Sequence, residues 1–132
     1  VANRSLSPLE GLGKGFFVAI KDEQYDIAYD LCSTAFKQRV PRETFQNFLV
    51  QTRFIEVQNS QWHSPQIEGN KGTIMGTVTL KSGQTLPIQI WAIQEKIGVY
   101  PGIGDLSKYP IVNRLEVWKI YSFQQAKATP IN

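Results

Sequence analysis

The chain has little of what reactive or metal-binding sites usually require. It has one cysteine, Cys32, and one histidine, His63. An intramolecular disulfide needs two cysteines, and a structural zinc site usually needs four cysteine or histidine ligands. The sequence therefore excludes a disulfide within this chain and argues against zinc, so we expect no metal and no cofactor.

Long apolar runs and clusters of basic residues are also absent. No apolar run approaches the roughly 18 residues of a membrane span, so we predict no membrane span in this sequence. The 14 basic and 11 acidic residues are scattered and give a net charge of +3. Nucleic-acid binding needs a basic stripe or an aromatic-basic module. We therefore predict no nucleic-acid partner and only weak attraction of anions.

The length and composition fit one domain. A chain of 132 residues with 42% hydrophobic residues can bury a core without disulfides. We predict an irregular lead-in over residues 1–8, one domain over 9–124 and a polar tail over 125–132. The sequence begins at Val1 and contains no signal peptide. From this start we expect either a fragment or a mature chain whose leader or anchor was removed, and an extracytoplasmic location is slightly favoured over a cytoplasmic one.

Apolar residues recur at helical spacing in the first half of the chain. Helices are predicted over 9–21, over 22–32 and from Pro41, with a further helical turn from Ser33 or Thr34. The apolar positions are Leu9, Leu12, Phe16, Ile20, Tyr25, Ala28, Tyr29, Cys32, Phe36, Phe45, Phe48 and Leu49. Gly11 and Gly15 lie four apart on one helix face, where small residues allow a neighbour to approach closely.

From about residue 54 the period of the pattern changes to two. The alternation predicts strands over 54–62, 73–80, 86–93 and 115–123, with a turn at 68–71 and a hairpin loop at 81–84. Pro87 predicts an edge position or a bulge in the third strand, because proline cannot donate a ladder hydrogen bond.

Residues 98–113 contain several glycines and prolines and predict a long apolar loop. Long loops without regular structure are uncommon in compact domains and often bind something. Two interpretations stay open: the loop is an exposed partner-binding patch, or it folds back and seals the domain. The candidate partner-binding residues are Tyr100, Ile103, Leu106 and Tyr109.

This order of elements resembles the nuclear transport factor 2-like superfamily. The segments that carry the resemblance are Phe17-Val18-Ala19-Ile20-Lys21, Tyr25-Asp26-Ile27-Ala28-Tyr29, Phe45-Gln46-Asn47-Phe48-Leu49 and Trp118-Lys119-Ile120. The resemblance implies an α+β fold in which three N-terminal helices pack on a strongly curved antiparallel β-sheet, the cystatin-like cone. Within the superfamily the chain is most similar to small bacterial domains of unknown function, often secreted or membrane-anchored.

A curved sheet packed on helices leaves a cleft at its open end, and such ligand sites are mostly apolar. The candidate ligand-binding residues are Tyr25, Tyr29, Trp62, His63, Met75, Trp91 and Tyr121. Simple core packing is the other interpretation of the aromatic residues.

Two pairs of residues in the sequence are candidates for reactive sites. Cys32 and His63 could form a nucleophile pair, but Cys32 lies on an apolar helix face where a cysteine behaves as a small hydrophobe. Asp26 and Asp30 share one helix face and could form a paired-carboxylate site. Their polar neighbours favour a solvated face instead.

Fold class does not decide function in this superfamily, because it contains enzymes, small-molecule binders and interaction modules. No catalytic motif of its enzymes can be matched to these residues. We therefore predict a non-enzymatic domain that uses the cone opening and the 98–113 loop to bind a protein partner or a small apolar ligand. The alternative is an isomerase- or dehydratase-like enzyme with Tyr29 or His63 in acid–base work. A third option is a homodimer built on the outer sheet face, on Thr73, Thr77 and Thr79.

Overall fold

Helices occupy the first half of the chain and strands the second. The computed structural model describes residues 7–99 and 113–126. The helices in this part of the chain are α1 (Pro8–Lys21), α2 (Tyr25–Asp30), α3 (Thr34–Arg39) and α4 (Arg42–Gln51), followed by a 3₁₀ turn at Phe54–Glu56. The strands are β1 (Val57–Glu68), β2 (Lys71–Leu80), β3 (Thr85–Val99) and β4 (Asn113–Gln125). The predicted α+β class is confirmed.

The described residues form one helix more than predicted, because the turn expected at Ser33 or Thr34 continues as α3. Its N-terminus is capped by Ser33, whose hydroxyl accepts a hydrogen bond from the backbone N–H of Phe36. The carboxylate of Glu95 in β3 accepts a second one, from the N–H of Thr34 at 2.8 Å. A six-residue helix is marginal by itself. The contact with β3 therefore supplies stabilisation that local sequence cannot reveal.

The strands form one antiparallel sheet in the order β1-β2-β3-β4. The Gly69-Asn70 turn joins the pair Glu68 and Lys71, as the turn signal predicts. The sheet is not strongly curled, so the cone implied by the resemblance is not seen and stays a prediction. No helix in the described part of the chain has the length and hydrophobicity needed to cross a membrane.

The two ends of the predicted 98–113 loop belong to strands, because β3 continues to Val99 and β4 begins at Asn113. The candidate residues Tyr100, Ile103, Leu106 and Tyr109 lie outside the described residues. Pro87 lies in a central strand rather than an edge strand, but the β3–β4 ladder begins only at Ile88. The carbonyl of Pro87 accepts a hydrogen bond from the backbone N–H of Ala126, on the β4 side of the strand. The nitrogen and the carbonyl of one strand residue point towards the same neighbouring strand. The nitrogen of Pro87 therefore faces the β4 side, beyond the end of the β3–β4 ladder, and does not face β2.

One face of the sheet packs against the helices, and we call it the inner face. Even-numbered residues of β2 and β3 point to it and are buried, from Gly72 to Leu80 and from Leu86 to Ala92. The largest fully buried core side chains are Phe16, Phe17, Phe45, Phe54, Leu9, Ile20, Leu49, Ile74, Leu80, Ile88, Ile90 and Ile120. The apolar positions that alternate in the sequence therefore form the core.

Trp62 joins α1 to the sheet from its inner-face position in β1. A Cβ atom at Gly13 would lie 2.6 Å from Cε2 of the indole, and one at Gly76 would meet the ring on the β2 side. Phe17 stacks on the same ring at a centroid distance of 5.9 Å. The expected close approach of a neighbour at Gly11 and Gly15 is wrong, because a Cβ atom added at either residue would have nothing within 4 Å. The close approach is at Gly13 instead.

The outer edge of β4 is covered at Ile120 by the segment between α2 and α3. The N–H of Ser33 donates to the carbonyl of Ile120 at 2.8 Å, and the N–H of Ile120 donates to the carbonyl of Leu31 at 2.9 Å. Cys32 is therefore bridged to Ile120 in parallel orientation. Arg39 of α3 donates to the next carbonyl, that of Tyr121, at 2.7 Å.

Candidate functional site

The face of the sheet opposite the helices, here called the outer face, is neither fully polar nor fully exposed. Its positions on the two central strands are half-buried: Thr73, Met75, Thr77, Thr79, Pro87, Gln89, Trp91 and Ile93. The three threonines expected on this face are there. A face that mixes apolar side chains with hydroxyl and amide groups is suited to contact another molecule.

A cavity of about 680 Å³ lies at the end of the sheet where β2 begins. Its volume is within the range of small-molecule sites, roughly 300–1,000 Å³. All four strands contribute to its lining: Gln66, Ile67, Glu68, Lys71, Gly72, Thr73, Trp91, Ala92, Ile93 and Tyr121.

The strand register arranges the outer-face residues of this cavity in two neighbouring rows. Gln66 pairs with Thr73, which pairs with Trp91, which pairs with Ser122. In the next row the partners are Glu68, Lys71, Ile93 and Lys119. Directly opposed side chains in such rows have Cβ atoms about 5 Å apart. Strands therefore form the floor of the cavity in the described part of the chain.

Tyr121 borders the cavity because β4 has a bulge at this point. Trp91 pairs with Ser122 and Ala92 with Ile120, so Tyr121 is the additional residue on β4. Bulges redirect side chains in this way. The guanidinium of Arg39 lies 4.6 Å from the centroid of the Tyr121 ring, which is 39% exposed. The cation–π contact and the hydrogen bond from Arg39 together hold this aromatic residue in place.

The polar groups at the cavity are not committed to partners within the described chain. Neither the Lys71 ammonium nor the Trp91 indole N–H has a hydrogen-bond or ion-pair partner among residues 7–99 and 113–126. Glu68 stands opposite Lys71 in the register without forming an ion pair in this part of the chain. Apolar surface on this face comes from Trp91 and Ile93. The cavity therefore combines apolar walls with available polar groups.

Three of the seven predicted ligand-binding residues lie on the helix side of the sheet. Tyr29 is buried, and its hydroxyl donates to the carbonyl of Val40 at 2.7 Å. Tyr25 is half-buried against the core, and its pKa is raised by burial and by the charge of Glu23. Trp62 is the packing residue described above. For these three aromatic residues, packing is the role that the contacts support.

His63 and Met75 face each other across β1 and β2 on the outer face, away from the cavity. His63 is exposed, and its Nδ1 lies 3.0 Å from the hydroxyl of Ser64. Of the seven predicted residues, only Trp91 and Tyr121 line the cavity. Strand alternation and the helices thus divide the seven residues between the two faces of the sheet, and a role of any of them in binding stays a prediction.

The sequence reasoning missed Lys71, Glu68 and Ile93 as lining residues. Their alternation with Gly72 and Ala92 places them on the outer face, and this signal was available. The sequence does not reveal the strand register. The register pairs Lys71 with Ile93 and places this pair beside the pair of Thr73 and Trp91.

The structure excludes the hypothetical Cys32–His63 pair. Burial raises the pKa of the Cys32 thiol to about 12, and the nearby charges of Lys37 and Lys119 oppose this only in part. Cys32 is bridged to the outer edge of β4, whereas His63 lies in β1 at the other edge. Four strand spacings separate them, about 19 Å.

Asp26 and Asp30 lie on a solvated face, as favoured from the sequence. Asp26 forms an exposed ion pair with Arg42 at 2.6 Å, and Asp30 lies 3.9 Å from Lys37. Within 7–99 and 113–126, no group of three His, Cys, Asp or Glu side chains is placed to hold a metal ion.

No protein-family model, curated protein or solved structure matches this chain significantly. The resemblance to the nuclear transport factor 2-like superfamily therefore stays a prediction. Any functional conclusion has to come from the geometry of the outer face.

Proposed function

We propose that this chain is a binding domain that holds a small, largely apolar ligand in the cavity on its outer sheet face. The observation that carries the proposal is the cavity of about 680 Å³ bordered by Trp91, Ile93 and Tyr121. Aromatic and aliphatic walls with a few polar groups are the usual composition of small-molecule sites. The site differs from the cone opening expected from the resemblance, since it lies on the face away from the helices.

The rigidity of the site supports this proposal. Its two central strands, β2 and β3, pair without a register shift, and Tyr121 is held by Arg39. A preformed site loses little conformational entropy when a ligand binds. Trp91 offers a large flat surface against which an apolar group can pack.

The packing between helices and sheet favours binding over the enzyme alternative. An acid–base enzyme of the kind considered needs a polar group with an adjusted pKa facing an enclosed space. The described interior is instead filled by side chains such as Phe16, Phe45, Ile88 and Ile90. The hydroxyl of Tyr29 is already bonded to Val40, and His63 is exposed on the other face.

A homodimer through the outer face is the second candidate, because Thr73, Thr77 and Thr79 lie there half-buried beside Trp91. It would cover the same cavity and thus compete with a ligand. Its signature is a concentration-dependent mass, which a small-ligand site does not require.

The experiment is a thermal-shift screen of small apolar compounds against the wild type, Trp91→Ala and Met75→Ala. Met75 lies on the same face but does not line the cavity, so its variant is the matched control. We expect compounds that raise the melting temperature of the wild type and of Met75→Ala but not of Trp91→Ala. Compounds that act equally on all three proteins would contradict the proposal. Sedimentation equilibrium of the free protein separates the homodimer, which would replace the ligand site if it forms at micromolar concentration.

A further inference from the structure

We infer that the ligand of the outer-face cavity is an amphipathic monocarboxylate, with its carboxylate between Lys71 and Trp91 and its apolar body against Ile93 and Tyr121. The inference rests on the proposed function and names the chemical class of the ligand. It depends on which polar groups of the cavity lack partners and on where the register places them.

Two hydrogen-bond donors that have no partner among the described residues lie on one side of the cavity. The Lys71 ammonium has three N–H bonds and the Trp91 indole has one, and neither group has an acceptor in the described chain. A carboxylate has only acceptors, so it satisfies both groups at once. A neutral amide leaves the charge of Lys71 uncompensated.

The spacing of the two donors fits a single carboxylate. Lys71 pairs with Ile93, so Trp91 is its diagonal neighbour in the same ladder. Diagonal neighbours on one face have their Cα atoms about 7–8 Å apart, which long side chains can bridge. The Lys71 and Trp91 side chains can therefore converge on one group bound above Thr73.

Glu68 and Arg39 define the two ends of the site. Glu68 stands beyond Lys71 at the β1–β2 end, where it would repel a second negative charge. Arg39 lies behind the ring of Tyr121 at the β4 end and adds positive charge there. The carboxylate of Glu68 beside Lys71 therefore favours a single negative charge at this donor pair over a dianion such as a phosphate monoester.

The apolar part of the ligand would lie along Ile93 and Tyr121. These residues and Trp91 form the apolar side of the cavity, and its volume of about 680 Å³ leaves room for a ring system beside the carboxylate. We therefore expect aromatic or branched monocarboxylates to bind more tightly than acetate.

The test uses three probes with one ring system: naphthoate, its neutral amide and naphthylmethylammonium. Binding to the full chain is followed by NMR of the indole N–H signals of its three tryptophans. We expect naphthoate to shift the Trp91 signal while the Trp62 and Trp118 signals stay in place. Naphthoate should bind about tenfold or more tightly than the amide, since a hydrogen bond to a charged group contributes more than one between neutral groups.

The variants Lys71→Met and Lys81→Met assign the charge. Lys71→Met keeps an unbranched side chain, and Lys81 lies in the β2–β3 turn, away from the cavity. We expect Lys71→Met to remove the preference for naphthoate over the amide and Lys81→Met to keep it. Unchanged melting temperatures of both variants show that the fold is intact.

Several results would overturn the inference. Equal affinity of all three probes at Trp91 would reject the carboxylate but leave the proposed binding function standing. Tightest binding by the ammonium probe, lost in Glu68→Gln, would assign the site to cations. If neither these probes nor any compound of the apolar screen shifts the Trp91 signal, the proposed function fails as well.

Discussion

Replacing Gly13 with alanine should destabilise the protein, whereas the same replacement at Gly15 in the same helix should stabilise it. Glycine-to-alanine changes inside a helix stabilise it by about 1 kcal/mol when the new methyl group meets nothing. A Cβ atom at Gly15 has nothing within 4 Å. At Gly13 it would lie 2.6, 2.8 and 2.9 Å from three atoms of the Trp62 indole.

The indole has little room to move away from this methyl group. Gly76 lies against the ring on its β2 side, and the indole Nε1–H donates to the hydroxyl of Ser60 at 2.9 Å. Overpacking of this kind costs about 1–3 kcal/mol. With the cost at the upper end of that range, Gly13→Ala should lose about 2 kcal/mol of unfolding free energy, a difference of about 3 kcal/mol from Gly15→Ala.

Urea denaturation followed by circular dichroism measures these free energies. Gly11→Ala provides a second control, because Gly11 is also open to solvent. In a Trp62→Phe background the smaller ring should relieve the clash, so the penalty of Gly13→Ala should shrink. Stabilities of Gly13→Ala and Gly15→Ala within about 0.5 kcal/mol of each other would refute the reasoning.

Three further changes test other parts of the fold. Tyr29→Phe removes the hydroxyl that donates to Val40 and should cost about 1 kcal/mol in urea denaturation, with an unchanged value arguing against this bond. Glu23 has φ 61° at the C-terminal end of α1, so Glu23→Gly should stabilise by up to about 1 kcal/mol while Glu23→Ala should not. The raised thiol pKa of Cys32 favours the neutral form in the fold, so its contribution to stability is full below pH 9.0 and is lost as the pH rises towards about 12. Cys32→Ala should lack this part of the alkaline loss, and a native thiol that labels as fast as the unfolded chain would contradict the burial.

Sequence periodicity predicts the elements well where one face is buried. The alternation around Ile74 and Ile88 predicts β2 and β3, because buried and outer positions differ in polarity there. It fails for the second half of β1, where His63 to Glu68 are all exposed. This part of the strand is held by pairing with β2, including Gln66 with Thr73. Backbone pairing leaves no apolar pattern in the sequence.

The candidate site was harder to predict than the elements. Trp91 and Tyr121 were named from their residue types, but Lys71 joins them only through the register of β2 against β3. Tyr121 reaches the cavity border through a bulge, which the pattern of the last strand does not reveal. Trp62 is a candidate ligand-binding residue by the same criterion, but its position in β1 points its side chain to the core. Type alone does not distinguish a packing tryptophan from one on the outer face.

The segment that covers Ile120 has a consequence for how copies of this protein can associate. Backbone strand addition requires free N–H and C=O groups, and on β4 both groups of Ile120 and the carbonyl of Tyr121 are occupied. An open-ended stack of molecules joined strand to strand needs two free sheet edges on each molecule. In this fold the β4 edge is blocked at its middle. Two copies meeting through β1 would close on themselves as a symmetric pair and stop there. The short connection between α2 and α3 thus acts against fibril formation by the native fold.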